Sequence, residues 1–229
     1  MTLPLIIVRG EPGASASLAA ARDAGLDAQA WPLFAAAPLE WSVPEERFDA
    51  LLLGSANAVR LGGAGLQALR SLPVYAVGET TAAAAREAGH AIAGIGRGGL
   101  QGLVDALPPD RPMRLLRLAG ESHVALTPPS HIALATRIVY RIVASPLPED
   151  LLAALQKPAI VALHSADAAR HVRAQCDAFG IDLSRHAIVT LGERIASAAG
   201  HGWRDVQNAA APDDAALLAL AQRMCHMTR

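Results

Sequence analysis

Val74 to Gly89 reads VYAVGETTAAAAREAG. A short β-favouring apolar run stops at Gly78, a polar turn follows at Glu79, Thr80 and Thr81, and an alanine-rich helix begins. A strand that feeds a helix through a glycine turn is the repeating unit of a parallel α/β sheet. It also leaves backbone N–H groups and hydroxyls at the helix N-terminus, where an anion can be held. Ile188 to Gly202, IVTLGERIASAAGHG, repeats the pattern imperfectly. Two copies predict two anion-binding turns.

Outward from this pair the same rhythm recurs. Leu3 to Val8, Phe48 to Leu53, Arg114 to Leu118 and Ile160 to Leu163 are continuous apolar runs, as expected of strands buried on both faces. Polar or glycine turns follow them at Arg9-Gly10, Gly54-Ser55-Ala56-Asn57, Gly120-Glu121 and His164-Ser165. Helices are predicted over Ser15 to Ala24, from Ala58, over Thr81 to Glu87, over Leu100 to Leu107, and from an Asp213 cap to Met224. Leu26 to Phe34 is extended but carries Pro32, which suits an edge or linking strand. Ala35 to Arg47 reads as a connector, and TRIVYRIVA at Thr136 to Ala144 as strongly β-forming. Ser-Ala-x-Ala-x-Arg at Ser55 to Arg60 returns at Ser165 to Arg170, so the chain holds an internal duplication with a period of about 110 residues.

Composition sets the outer limits. With 229 residues, 52% hydrophobic and 18% charged, the chain can bury a large core in one domain or two. Aromatics are only 3%, which favours helices layered on sheets. A formal net charge of -1 argues against a nucleic-acid partner. No apolar stretch approaches the roughly 18 to 20 residues that span a bilayer, and the N-terminus lacks a signal-peptide pattern. The expectation is a soluble cytoplasmic protein without a membrane partner. Two scattered cysteines and eight histidines show no metal-ligand spacing, so no metal is expected.

Ligands of parallel α/β sheets bind outside the carboxyl ends of the strands. The candidates there are Arg9, Ser55, Ala56, Asn57, Thr80, Thr81, Ser165 and Arg194. Each hydroxyl also fits a plain helix cap, a role worth about 1 kcal/mol by itself. GIGRGG at Gly94 to Gly99 matches a dinucleotide fingerprint, but its strand and helix are too short and no acidic residue follows at the required distance. Ser55 and Ser165 lack the G-x-S-x-G setting of a hydrolase, and His123 and His131 read as surface loop residues. Tyr140, one of only two tyrosines, stands near Arg137 and Arg141. A phenol beside guanidinium groups can donate a proton to a leaving group.

In the order and spacing of FDALLLGSANAVR (Phe48 to Arg60), VYAVGETTAAAAREAGH (Val74 to His90), VYR (Val139 to Arg141) and IVALHSADAARHV (Ile160 to Val172), the chain resembles the uroporphyrinogen-III synthase family. The resemblance implies two similar parallel-sheet α/β domains joined by a two-stranded β linker, with the substrate in the cleft between them. One domain would be discontinuous, residues 1–35 with 145–229, and the other inserted, residues 36–144. The implied reaction is the cofactor-free closure of the linear tetrapyrrole hydroxymethylbilane, with loss of water and inversion of ring D, by a monomer. Contact with the preceding pathway enzyme would be transient. Tyr140 matches the tyrosine that assists hydroxyl departure, and Ser55, Thr81 and Ser165 match hydroxyls that contact the substrate. The second turn departs from the family pattern. It reads Gly192-Glu193-Arg194-Ile195, so one wall would offer hydroxyls and the other a charge. That departure leaves open a non-catalytic clamp that binds or senses a tetrapyrrole or another polyanion.

Overall fold

The structure, a computed structural model, describes residues 3–227. It divides into two compact units, one formed by the chain up to Ala35 and from Ala144 onward, the other by Ala36–Val143. No described helix is long and apolar enough to cross a membrane.

In the first unit β1 (Leu5–Val8), β9 (Ile160–Leu163) and β10 (Ala187–Thr190) are buried at every position. With β11 (Asp205–Asn208) and β2 (Ala28–Ala30) at the edges they form a five-stranded parallel sheet in the order β11-β10-β9-β1-β2. Alternate residues of β1 enter opposite cores. Leu5 and Ile7 pack with Leu217 and Ala221 of α9 (Asp214–Met227), whereas Ile6 and Val8 pack with Val172 of α7 (Ala166–Ala178) and Ile195 of α8 (Glu193–Ala199). The period of two therefore serves two apolar faces, which is why these strands show no polar alternation.

The second unit holds a six-stranded sheet in the order β3 (Phe34–Pro38), β8 (Ile132–Ala144), β7 (Met113–Gly120), β4 (Ala50–Leu53), β5 (Val74–Val77) and β6 (Ile92–Gly96). All neighbours from β8 to β6 are parallel, as expected. β3 differs. Leu39 N donates to Val139 O and Ser145 N to Leu33 O, an antiparallel register. The second sheet is therefore mixed at this edge, because the strand that brings the chain in lies against the one that takes it out. The supposed connector after Ala35 is thus partly strand.

Taken from one edge, β11-β10-β9-β1-β2 and β6-β5-β4-β7-β8 are the same arrangement. The internal repeat survives as repeated strand order. It does not coincide with the compact units, because β1 and β2 complete the sheet made by β9, β10 and β11. The glycines of GIGRGG have structural reasons. Gly94 and Gly96 lie in β6, and a Cβ on Gly96 would stand 2.8 Å from Leu103 Cβ of α5 (Leu100–Asp105).

His186, just before β10, is 1% exposed, and neither ring nitrogen has a well-formed hydrogen bond among the described residues. Burial pushes its pKa down from 6.5. The unfolded chain then takes up the proton more readily than the folded one. Stability is therefore full above 6.5 and falls as pH drops through that value toward the folded pKa. A falling melting temperature over that acid window, flattened in His186→Leu, is the expected outcome of a thermal-melt series.

Candidate active site

At the carboxyl ends of β4, β7 and β8 lies a cavity of about 160 Å³, lined among others by Ser55, Arg117, Gly120, Ser122, His123 and Tyr140. Ser55 is in extended backbone (φ -151, ψ 139) and N-caps α2 (Ala56–Arg60). Its Oγ accepts from Asn57 N at 3.2 Å, so its own proton remains free to donate. Ala56 is buried in the first turn of that helix and Asn57 is half-buried. Tyr140 is half-buried on β8, and its phenol makes no hydrogen bond within the described residues. The ring stands over Gly120, where a Cβ would come within 2.6 Å of Tyr140 Cζ and 2.9 Å of its hydroxyl. Glu121 N donates to Tyr140 O at 2.9 Å and fixes the backbone there.

Two members of this cavity had no site role in the reading of the sequence. His123 is an exposed loop residue, as expected, and lies with Nδ1 2.8 Å from Gly120 O and 3.2 Å from Glu121 O. Carbonyls only accept, so Nδ1 carries a proton. Arg117, in β7, is 4% exposed and donates from Nη1 to Val124 O at 2.8 Å. Burial pushes its pKa down, while the negative charge that Tyr140 can carry opposes that shift. The guanidinium that shares the cavity with the phenol is therefore Arg117, and neither Arg137 nor Arg141 lines it. Its signal in the sequence was an arginine inside the apolar run RLLRL.

The organising turn is shifted from its predicted place. α4 (Glu79–Glu87) begins two residues earlier than expected, after Gly78 at φ 75, so Thr80 and Thr81 belong to its first turn. Thr80 is exposed. Thr81 is 4% exposed, on the inner face. Glu79 pairs with Arg86 of the same helix. In the second copy Arg194 is exposed, but Ile195 packs in the core of the first unit. The exchange of threonine for isoleucine thus alters an interior contact and removes no hydroxyl from an open turn.

Ser165, at the end of β9, N-caps α7 and accepts from Ala168 N at 3.1 Å. Arg9 is already engaged. Its Nη1 donates to Ser17 Oγ at 3.0 Å and lies 3.4 Å from Asp214 Oδ1, while Ser17 Oγ donates to Asp214 Oδ2 at 2.7 Å. His164 Nε2 donates to Asp214 Oδ1 at 2.8 Å, and its buried Nδ1 has no well-formed hydrogen bond among the described residues. Burial lowers the His164 pKa against the pull of Asp214. Arg9, expected among the substrate contacts, thus has part of its charge offset by the Asp214 carboxylate.

The profile of the uroporphyrinogen-III synthase HemD family matches residues 16–219 of the chain. No curated protein matches it significantly. Among solved structures, uroporphyrinogen-III synthetase from Helicobacter pylori is similar, with a TM-score of 0.64 at 18% identity over 97% of this chain and 100% of that one. A mutant uroporphyrinogen III synthase from the extremely thermophilic bacterium Thermus thermophilus gives a TM-score of 0.52 at 17% identity, over 99% of this chain and 100% of that one. At such identities the structural likeness bears on the fold alone.

Proposed function

The chain belongs to the uroporphyrinogen-III synthase family, and on that footing we propose how it closes hydroxymethylbilane, with loss of water and inversion of ring D. The reaction needs neither oxidant nor reductant. A C–O bond breaks, the hydroxyl leaves as water, and the resulting azafulvene cation is attacked by the substituted carbon of ring D. The older bond from that carbon to the chain then breaks, leaving a second azafulvene that the free α-carbon of ring D attacks. A proton is then released. Two physical tasks follow, protonation of a departing hydroxyl and restraint of a flexible chain in its closing conformation.

Tyr140 performs the first. The observation that carries this reading is a phenol with no hydrogen-bond partner among the described residues, in a cavity shared with Ser55 and a buried guanidinium. The second task falls to backbone N–H groups and hydroxyls at strand ends, which suit a substrate with many carboxylates better than one deep charged pocket. Ser55, Ala56 and Asn57 at the start of α2, with Thr80 and Thr81 in the first turn of α4, serve it in the second unit. Arg9, Ser165 and Arg194 are proposed for the first unit, Arg9 with part of its charge already spent on Asp214. Action as a cytoplasmic monomer, with at most transient contact to the enzyme that supplies hydroxymethylbilane, belongs to the same proposal.

The assay that tests it supplies hydroxymethylbilane and resolves the type-I and type-III isomers. The purified protein should yield the type-III isomer. A product that is type I alone, as spontaneous closure gives, would sink the proposal. Tetrapyrrole binding without turnover would favour a non-catalytic clamp. Ile195 no longer motivates that alternative, since its side chain belongs to the core.

A further inference from the structure

Arg117 sits mid-strand in β7, flanked by the fully buried Leu116 and Leu118, and is itself 4% exposed. A guanidinium cannot give up its charge, so burial of this depth ordinarily comes with a carboxylate. Among the described residues none is bonded to it. The arginine ion pairs there belong to Arg9, Arg86, Arg170 and Arg173. Nη1 has Val124 O, whereas Nε is buried without an acceptor and Nη2 makes no hydrogen bond. The side-on fork of the guanidinium, formed by Nε and Nη2, therefore lacks the oxygens for which its geometry is suited.

Two cavities meet at this residue. One is the Tyr140 cavity of about 160 Å³. The other, of about 490 Å³, is lined by Val77, Gly99, Leu100, Gln101 and Val124 as well as Arg117. Gly54, Leu100 and Arg117 belong to both. The second cavity is mostly apolar around one cation, a setting in which a charge-assisted pair is stronger than in water. We infer that Arg117 is a carboxylate anchor, whose unpaired fork takes one carboxylate arm of the linear tetrapyrrole in the larger cavity and so places the neighbouring ring beside Tyr140. This rests on the proposed function for the identity of the substrate. The geometry that leaves the fork unpaired is independent of it.

The competing role is structural, a tie between β7 and the loop at Val124. It would move the melting temperature and leave substrate affinity alone. Arg117→Met is expected to raise KM for hydroxymethylbilane by about tenfold to hundredfold, the worth of a charge-assisted pair, with kcat changed far less. Arg117→Lys should recover part of that loss, because a point charge replaces a fork. A folded Arg117→Met with unchanged KM would overturn the inference. Should that variant not fold, propionate titrated into the wild-type protein decides, followed at the Arg117 Nε–H resonance by nitrogen-15 NMR and assigned through Arg117→Lys. A saturable shift supports the anchor and its absence overturns it. If the wild type forms no type-III product, the proposed function fails, while the propionate titration still reports on the anchor.

Discussion

Tyr140→Phe is expected to lower kcat for type-III formation by roughly 10²- to 10⁴-fold, the range of a single positioned proton donor. KM and melting temperature should stay near wild type. The phenol has no hydrogen-bond partner among the described residues, so its removal strands no buried donor or acceptor there, and the ring that packs against the second unit's core is kept. The effect should then fall on the chemical step alone. Slowed turnover lets spontaneous closure compete, so the product mixture should also drift toward the type-I isomer. Single-turnover kinetics with isomer analysis checks both effects. An unchanged kcat would remove Tyr140 from the reaction.

Much of the second unit was legible because its strands are covered on both faces and announce themselves as unbroken apolar runs. ALLL at β4 and VYAV at β5 needed no partner to be recognised. The turns were harder. Ser55 and Ser165 could be either caps or ligands from the sequence, and both do cap, each accepting from an amide of the helix it opens. Capping uses a lone pair and leaves the proton, so the two roles do not compete. What the sequence hid is what depends on distance along the chain. Arg9, Ser17, His164 and Asp214 form one network although Arg9 and Asp214 are 205 residues apart, and no local pattern marks such a set. Arg117 was within reach. A lone arginine between leucines of a doubly covered strand cannot be solvated in the usual way, and its pairing should have been asked for.

The two glycine turns that organise the chain also differ for a reason invisible in one dimension. Thr81 and Ile195 are both buried on the inner faces of their helices, at 4% and 7% exposure. Isoleucine there fills the core of the first unit, while the second unit buries a threonine at the matching place. Both copies open a helix directly after a glycine turn, since that backbone geometry needs no particular side chain at the third position. Duplication therefore preserved the backbone feature and released the side chain to serve packing.

Gly120→Ala should cost nearly as much catalysis as loss of the phenol itself. β7 and β8 shift register between Ala119 and Gly120, so that Ala119 pairs Ile138 and Gly120 pairs Tyr140, leaving Val139 as the extra residue. Such a bulge re-aims the side chain beside it. Here it brings the Tyr140 ring onto Gly120, where an added Cβ would stand 2.6 Å from Cζ. Gly120 is not in the left-handed region, so alanine suits the backbone and the ring is the obstacle. The ring must move, and a displacement near 1 Å at a reacting group costs about 10²-fold in rate. The overpacking itself should destabilise by about 1–3 kcal/mol. A double-mutant cycle separates the two effects. Once Tyr140→Phe has removed the phenol, adding Gly120→Ala should lower kcat no further, although the melting temperature still falls. Additive losses in kcat would mean that Gly120 acts on the reaction by a route other than Tyr140, and the placement of the phenol by this bulge would then be wrong.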